Sequence, residues 1–208
     1  MAIVTKIDKS STSEERILAF LEKCKDPNTS LHIGQKVIPG MYYTKLAESH
    51  LCKPASLLEV SFTNQAFYPL NLWLNLTRKE DALEFMFHDK EEKELCRGRF
   101  SYGTYNEDNN EKFNLLYLIA GKLQRSDQGR ELIGEDNFPF YLSQTLEFNG
   151  IPFQNPLLKI GVPERIGDSK RDYEIRTDYV NSNGNIFAEG TARIKIVPKK
   201  IFDRRKKC

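Results

Sequence analysis

Residues 61–76 read SFTNQAFYPLNLWLNL and residues 147–162 read EFNGIPFQNPLLKIGV. Laid over one another at an offset of about 86 residues, they behave as two copies of one pattern. Phe62 falls on Phe148 and Phe67 on Phe153, while Leu72, Leu74 and Leu76 fall on Leu158, Ile160 and Val162. Apolar residues at every second position are the signature of a half-buried strand. Outward from the first copy, LLEVSFT, NLWLNL, LEFMF and ELCRGRFSY read as four strands. Outward from the second, FYLSQTLEF, PLLKIGV, RDYEIRTDYV and NIFAEGTARIKIV read as four more. Asn181-Ser182-Asn183-Gly184 joins the last two, and Asn-Gly is a strong hairpin signal.

A helix precedes each set of strands. One starts just after Gly40 and runs through MYYTKLAESHL. The other, KFNLLYLIAGKLQ, carries Phe113, Leu115, Leu116, Leu118, Ile119 and Leu123 around most of its circumference, as a buried helix does. An earlier helix opens the chain: Thr12 and Glu15 read as a capping box ahead of Ile17, Leu18, Phe20 and Leu21. Lys25-Asp26-Pro27-Asn28 ends it, because the residue before a proline avoids the helical conformation. RSDQGRELIGEDN reads as a hydrophilic connection. The expected class is α+β, a curved antiparallel sheet wrapped around two long apolar helices, since neither half buries a helix and a sheet face well alone. The expected segments are a lead-in at 1–30, repeats at 31–104 and 105–198, and a basic tail at 199–208.

With 208 residues the chain can bury a core without staples. A net charge of +2 gives no bulk attraction for nucleic acid. The excess of Lys199, Lys200, Arg204, Arg205, Lys206 and Lys207 reads first as a solvated terminus. Cys24, Cys52, Cys96 and Cys208 form no CxxC pair and no zinc spacing, which points to reduced thiols in a cytoplasm and to no metal. The N-terminus lacks the apolar run of a secretory signal, and LLYLIA is too short to span a bilayer. No phosphate-binding glycine loop and no Gly-x-Ser-x-Gly elbow is present.

Chemistry concentrates at 32–48, HIGQKVIPGMYYTKLAE. Unpaired N–H groups where a helix opens after Pro39-Gly40 favour negative charge developing on an oxygen. His32, eight residues before Gly40, is the candidate base. Plainer readings stand beside these: Pro39-Gly40 as turn punctuation, Asp26 as turn chemistry, Glu48 as a solvated helix residue. His50 and His88 have no companions and read as surface residues.

A helix wrapped by an antiparallel sheet, twice over, resembles the double form of the hotdog fold. HIGQKVIPGMYYTKLAE resembles the β-hydroxyacyl-carrier-protein dehydratases, in which a histidine precedes a Pro-Gly turn into the hotdog helix. Residues 141–167, together with EIRTDYVNSNGNIFAEGTARIKIVP, resemble the strands of the (R)-specific enoyl-thioester hydratases. The resemblance implies substrates acylated on coenzyme A or on an acyl carrier protein, with no cofactor beyond that carrier. It gives His32 the role of base, Asp26 or Glu48 that of assisting carboxylate, and the Gly40 and Met41 amides that of carbonyl binders.

The chain departs from these patterns. The dehydratase loop is one residue longer, and Lys45 stands where that family keeps an acid, leaving Glu48 as the nearest carboxylate on the helix. DPNTSLH approximates the hydratases' Asp-x-Asn-Pro-x-His with one extra residue. Asn114 and Tyr117, near the start of the second helix, are candidate hydrogen-bond donors to substrate. A hotdog thioesterase, a non-catalytic acyl-thioester binder and a plain interaction domain remain alternatives. A double hotdog stands as a monomer; a single enlarged hotdog around 113–123 would need a homodimer.

Overall fold

The computed structural model describes residues 2–24, 29–103, 123, 126–150 and 156–199. The strands are β1 (Ala2–Ile7), β2 (Ala55–Phe62), β3 (Leu72–Arg78), β4 (Ala82–His88), β5 (Glu94–Tyr102), β6 (Asn137–Phe148), β7 (Leu157–Ile160), β8 (Glu164–Arg165), β9 (Asp172–Val180) and β10 (Ile186–Pro198). The helices are α1 (Glu14–Cys24), α2 (Thr29–Gln35), α3 (Gly40–Glu48) and α4 (Asp127–Ile133). One antiparallel sheet runs β1-β3-β4-β5-β2-β6-β10-β9-β7, with β8 beside β9.

Reading from the centre, β2 is followed by β5, β4 and β3, and β6 by β10, β9 and β7. The strand order is thus the same in both directions, and the axis relating the two runs passes between β2 and β6. There Glu59 lies opposite Thr145, two positions that the sequence overlay also equates.

Alternation decides which face each strand buries. Leu72, Leu74 and Leu76 of β3, Leu83, Phe85 and Phe87 of β4, Cys96 and Phe100 of β5, and Leu58 and Val60 of β2 all point inward. On them packs α3, which buries Met41, Tyr42, Tyr43, Thr44 and Ala47. The ring of Tyr43 lies 5.2 Å from that of Phe87. A Cβ on Gly98 would meet the Phe85 ring at 2.3 Å and the Glu59 carbonyl at 2.6 Å, so only glycine lets that ring cross β5. A second cluster joins Leu123, fully buried, to Ile133, Ile175, Ile194 and Ile196. The rest of the expected helix at 113–123 lies outside the described residues.

Several expectations need correction. Thr12 is not the cap of α1; its side chain is buried, donates to the Leu70 carbonyl at 2.7 Å and accepts from the Leu70 N–H at 2.8 Å. Ser13 takes the cap position, its carbonyl accepting from Ile17 N–H at 3.0 Å. The connection after 125 contains α4, capped by Ser126, whose hydroxyl accepts from Gly129 N–H at 3.0 Å. Residues 2–7, read from sequence only as lacking a signal, form an edge strand on β3. His50 and His88 are half-buried, and the His88 ring stacks on Trp73 at 6.1 Å. The Asn181 hairpin stands as expected: Gly184 has φ +84°, and the Asn181 side chain accepts from the N–H groups of Asn183 and Asn185. Among the described residues no helix is long and apolar enough to cross a membrane, and no His, Cys, Asp or Glu cluster could hold a metal.

Burial pushes the phenols of Tyr43 and Tyr179 and the thiol of Cys96 well above their ordinary values. A raised folded-state value contributes stability that is complete below the unfolded value and lost as pH rises. The melting temperature is therefore expected to hold at neutral pH and to fall from about pH 9–10 upward, where free thiols and phenols begin to ionise. Tyrosinate absorbance from Tyr43 and Tyr179 should appear only together with loss of ellipticity. Phenolate absorbance from all tyrosines in a still-folded protein would contradict this burial.

Candidate active site

The region begins with how α2 ends. Lys36 adopts φ +55°, its N–H bonds to the Ile33 carbonyl at 3.2 Å, and Val37 N–H bonds to the His32 carbonyl at 3.0 Å. That pair of bonds closing on a left-handed residue is a Schellman motif. It folds the chain back, so the Val37 carbonyl meets His32 Nδ1 at 3.3 Å. The next residues are fixed against the 64–68 loop: Ile38 N–H bonds to the Ala66 carbonyl at 2.9 Å and Tyr68 N–H to the Lys36 carbonyl at 2.8 Å.

The Val37 carbonyl can only accept, so Nδ1 is the donor in this contact and the ring is oriented by it. His32 itself is half-buried. It stands within a helix, not in the open loop that the sequence suggested. Lysine pays a steric penalty in the left-handed region that glycine avoids. Lys36→Gly is therefore expected to raise stability by roughly 0.5–1 kcal/mol, read by chemical denaturation, with the His32 contact retained. A loss of stability would mean that the Lys36 side chain matters more than its backbone.

Buried Pro39 sets the start of α3, in extended conformation at φ −61°, ψ 134°, and caps it with no side-chain bond. Gly40 follows for a steric reason: a Cβ there would meet the Phe62 ring at 2.9 Å. The opening of α3 is thus held against the end of β2. Along the helix, the Tyr42 hydroxyl donates to the Ser11 carbonyl at 2.6 Å, and Thr44 to the Met41 carbonyl at 2.7 Å.

Lys45 is exposed and reaches outward, its Nζ 5.4 Å over the Phe20 ring. The position where the dehydratase pattern keeps an acid thus faces α1 and not the interior. Glu48 is the last residue of α3, about 12 Å along the axis from Gly40 at 1.5 Å per residue. Asp26, Asn114 and Tyr117 lie outside the described residues.

The polar side chains that the fold buries were not foreseen. Among the described residues they are Thr12, Thr44, Gln144 and Thr177, and none is a carboxylate. The first two are satisfied by backbone carbonyls. Gln144 Oε1 and Thr177 Oγ1 have no hydrogen-bond partner among the described residues. Both point to the inner face of the second half, on β6 and β9, flanking β10, whose inward positions are the small Ala188, Gly190 and Ala192. A strand position alternating correctly with apolar neighbours gives no hint that its occupant is polar by need, and only burial identifies these two.

No protein-family model matches the sequence, and no curated protein sequence does. Solved structures do match. The tesB protein of Mycobacterium avium subsp. paratuberculosis superposes with TM-score 0.59 at 9% identity, over 78% of this chain and 88% of that one. The dehydratase domain of a mycocerosic acid synthase-like polyketide synthase gives 0.56 at 8% identity, over 93% and 90%. The PpsC dehydratase domain of Mycobacterium tuberculosis, solved with C12:1-CoA, gives 0.54 at 9% identity, over 77% and 85%. Likeness at such identities defines a fold. The chain has the hotdog fold, built on one large antiparallel sheet.

Proposed function

We propose that the protein processes acyl thioesters carried on coenzyme A or an acyl carrier protein, hydrating an enoyl thioester or dehydrating the β-hydroxyacyl form. The observation that supports this reading is His32, whose Nδ1 meets the Val37 carbonyl at 3.3 Å, which orients the ring; Nε2 is the proposed base. In the dehydration direction Nε2 takes the proton at the α-carbon while the β-hydroxyl leaves as water, protonated by a carboxylate. Asp26 is the proposed carboxylate, since Glu48 stands at the far end of α3. The amides at Gly40 and Met41 are the proposed binders of the thioester oxygen, where the helix dipole favours negative charge. Asn114 and Tyr117 are proposed donors from the second repeat, with Lys45 left to a surface role.

On this reading residues 31–104 and 105–198 are two hotdog repeats, each with its own apolar helix, and the mirrored strand order supports that division. The pair then acts as a monomer, in the cytoplasm, with no cofactor beyond the acyl carrier and no nucleic-acid partner. Solved neighbours with this fold include dehydratase domains, one of them holding an acyl-CoA.

One observation favours a second reading, thioester hydrolysis. Gln144 Oε1 and Thr177 Oγ1 are buried polar atoms with no partner among the described residues, suited to orient a water molecule. A single assay separates the two. Purified protein is given β-hydroxyacyl and enoyl thioesters while enoyl absorbance and free thiol are followed together. Change in the enoyl band without thiol supports the lyase; thiol release alone supports the hydrolase; silence in both channels overturns both readings.

A further inference from the structure

The two halves of the sheet can be compared position by position, because their registers match about the axis between β2 and β6. In the first half Phe85 of β4 lies opposite Gly98 of β5, and Leu58 of β2 opposite Phe100 of β5. In the second half Thr177 of β9 lies opposite Gly190 of β10, and Gln144 of β6 opposite Ala192 of β10. Thr177 thus holds the place of Phe85, Ala192 that of Phe100, and Gln144 that of Leu58. Leu58, Phe85 and Phe100 are all buried, and the two rings pack 5.3 Å apart over the inner face of the first half.

The second half keeps the register and gives up the filling: two rings become a methyl and a small hydroxyl side chain, and a leucine becomes an amide. Interiors hold few voids wider than a water molecule, so the volume given up is occupied, by the chain itself or by a ligand. The polar exchanges favour a ligand, because filling by the chain's own apolar side chains would call for apolar walls. Gln144 is 2% exposed and Thr177 1%, and Oε1 of the one and Oγ1 of the other have no partner among the described residues. They stand diagonally across β10, their Cα atoms about 12 Å apart for strands spaced about 4.8 Å with a rise of about 3.4 Å per residue. Leu146, Ile175, Ala188 and Ala192 around them are buried and apolar. An amide oxygen only accepts, whereas a threonine hydroxyl both donates and accepts. A hydroxyl lying between the two satisfies both; a carbonyl or an ether would leave Oε1 unpaired.

We propose that the inner face of the second half binds an apolar chain bearing one hydroxyl group, which donates to Gln144 Oε1 and accepts from Thr177 Oγ1. The first half, with Phe85 and Phe100 in place, takes no second molecule, so one ligand binds per chain. In the hydrolytic reading a water stands at the same two atoms; here the ligand's own hydroxyl takes that place. The inference needs no thioester chemistry, and its test involves no turnover.

The test is calorimetric titration of the whole protein with decanoate and with decanoates hydroxylated at each of carbons 2–10. One hydroxydecanoate is expected to bind one to one and at least tenfold tighter than decanoate, since buried polar atoms penalise a ligand that leaves them unpaired. The double variant Thr177→Val/Gln144→Leu should bind both acids alike. Ala192→Phe, which restores the ring of the first half, should keep or raise the melting temperature and abolish binding. A clear fall in melting temperature would mean that the chain itself fills this space, and overturns the proposal. So does equal affinity of the parent for decanoate and every hydroxy acid, which leaves the two atoms to water. Thioester turnover found without the hydroxyl preference would keep the thioester reading and overturn this one alone.

Discussion

If the protein hydrates enoyl thioesters as proposed, replacing His32 with alanine is expected to lower that rate by about 10²–10⁴-fold, the range that a positioned general base contributes. The expectation rests on which nitrogen is engaged. Nδ1 faces the Val37 carbonyl, so the ring is oriented, and Nε2 is the nitrogen proposed as base. Alanine removes both the base and the contact. His32→Gln is the sharper companion, because its amide can still donate to the Val37 carbonyl but has no basic nitrogen. It should lose as much activity as alanine and less rigidity. The fold should survive both, since the turn at 32–37 is closed by the backbone N–H groups of Lys36 and Val37, which neither substitution touches. A melting temperature within a few degrees of the parent, with hydration nearly abolished, is the expected pair of results. Hydration at the parental rate in a folded His32→Gln protein would remove His32 from the chemistry.

Much of the sheet could be read from the chain, because strand burial has a period of two and the alternating runs carry it openly. ELCRGRFSY matches β5 residue for residue, and Asn181–Gly184 is the turn its composition predicts. The overlay of 61–76 on 147–162 equates the end of β2 with that of β6 and β3 with β7, strands that hold matching places in the sheet order. The elements missed are those whose signal is not periodic. β1 is an edge strand with one paired side, and its short AIVTKI run resembles any apolar lead-in. α2 and α4 are each two turns long, too short for an apolar stripe to register, and the local mark of α4 is its Ser126 cap.

The site was legible in its backbone and less so in its side chains. Pro39-Gly40 announces a helix start, and the structure adds why the residue is glycine: the Phe62 ring occupies the space of its Cβ. Lys45 and Glu48 were placed by helical spacing alone, which gives a face but not what lies opposite. Phe20, brought by α1, draws Lys45 outward, a tertiary fact that no local spacing contains.

Thr177→Val and Gln144→Leu are expected to do two opposite things at once. A buried polar atom without a partner costs about 1–3 kcal/mol, and an apolar replacement of similar shape removes that cost. Thr177 is 1% exposed and Gln144 2%, so neither can recover its loss from solvent. Valine matches threonine in shape, and leucine fills most of the glutamine's place between Val60 and Ala192. Each substitution should therefore stabilise the protein, raising the melting temperature by about 2–4 °C per kcal/mol for a chain of this size. If these atoms orient water or hold a thioester oxygen, the same substitutions should depress thiol release by about 10²–10³-fold, the loss typical when one such polar contact is removed. Enoyl hydration through His32, on the other half of the fold, should change far less. Stabilisation with lost hydrolysis would identify groups kept at a cost in stability for the sake of function. Destabilisation by Thr177→Val would instead mean that its hydroxyl is bonded in the folded protein and serves packing, and the proposed thioester hydrolysis would then lose the one observation in its favour.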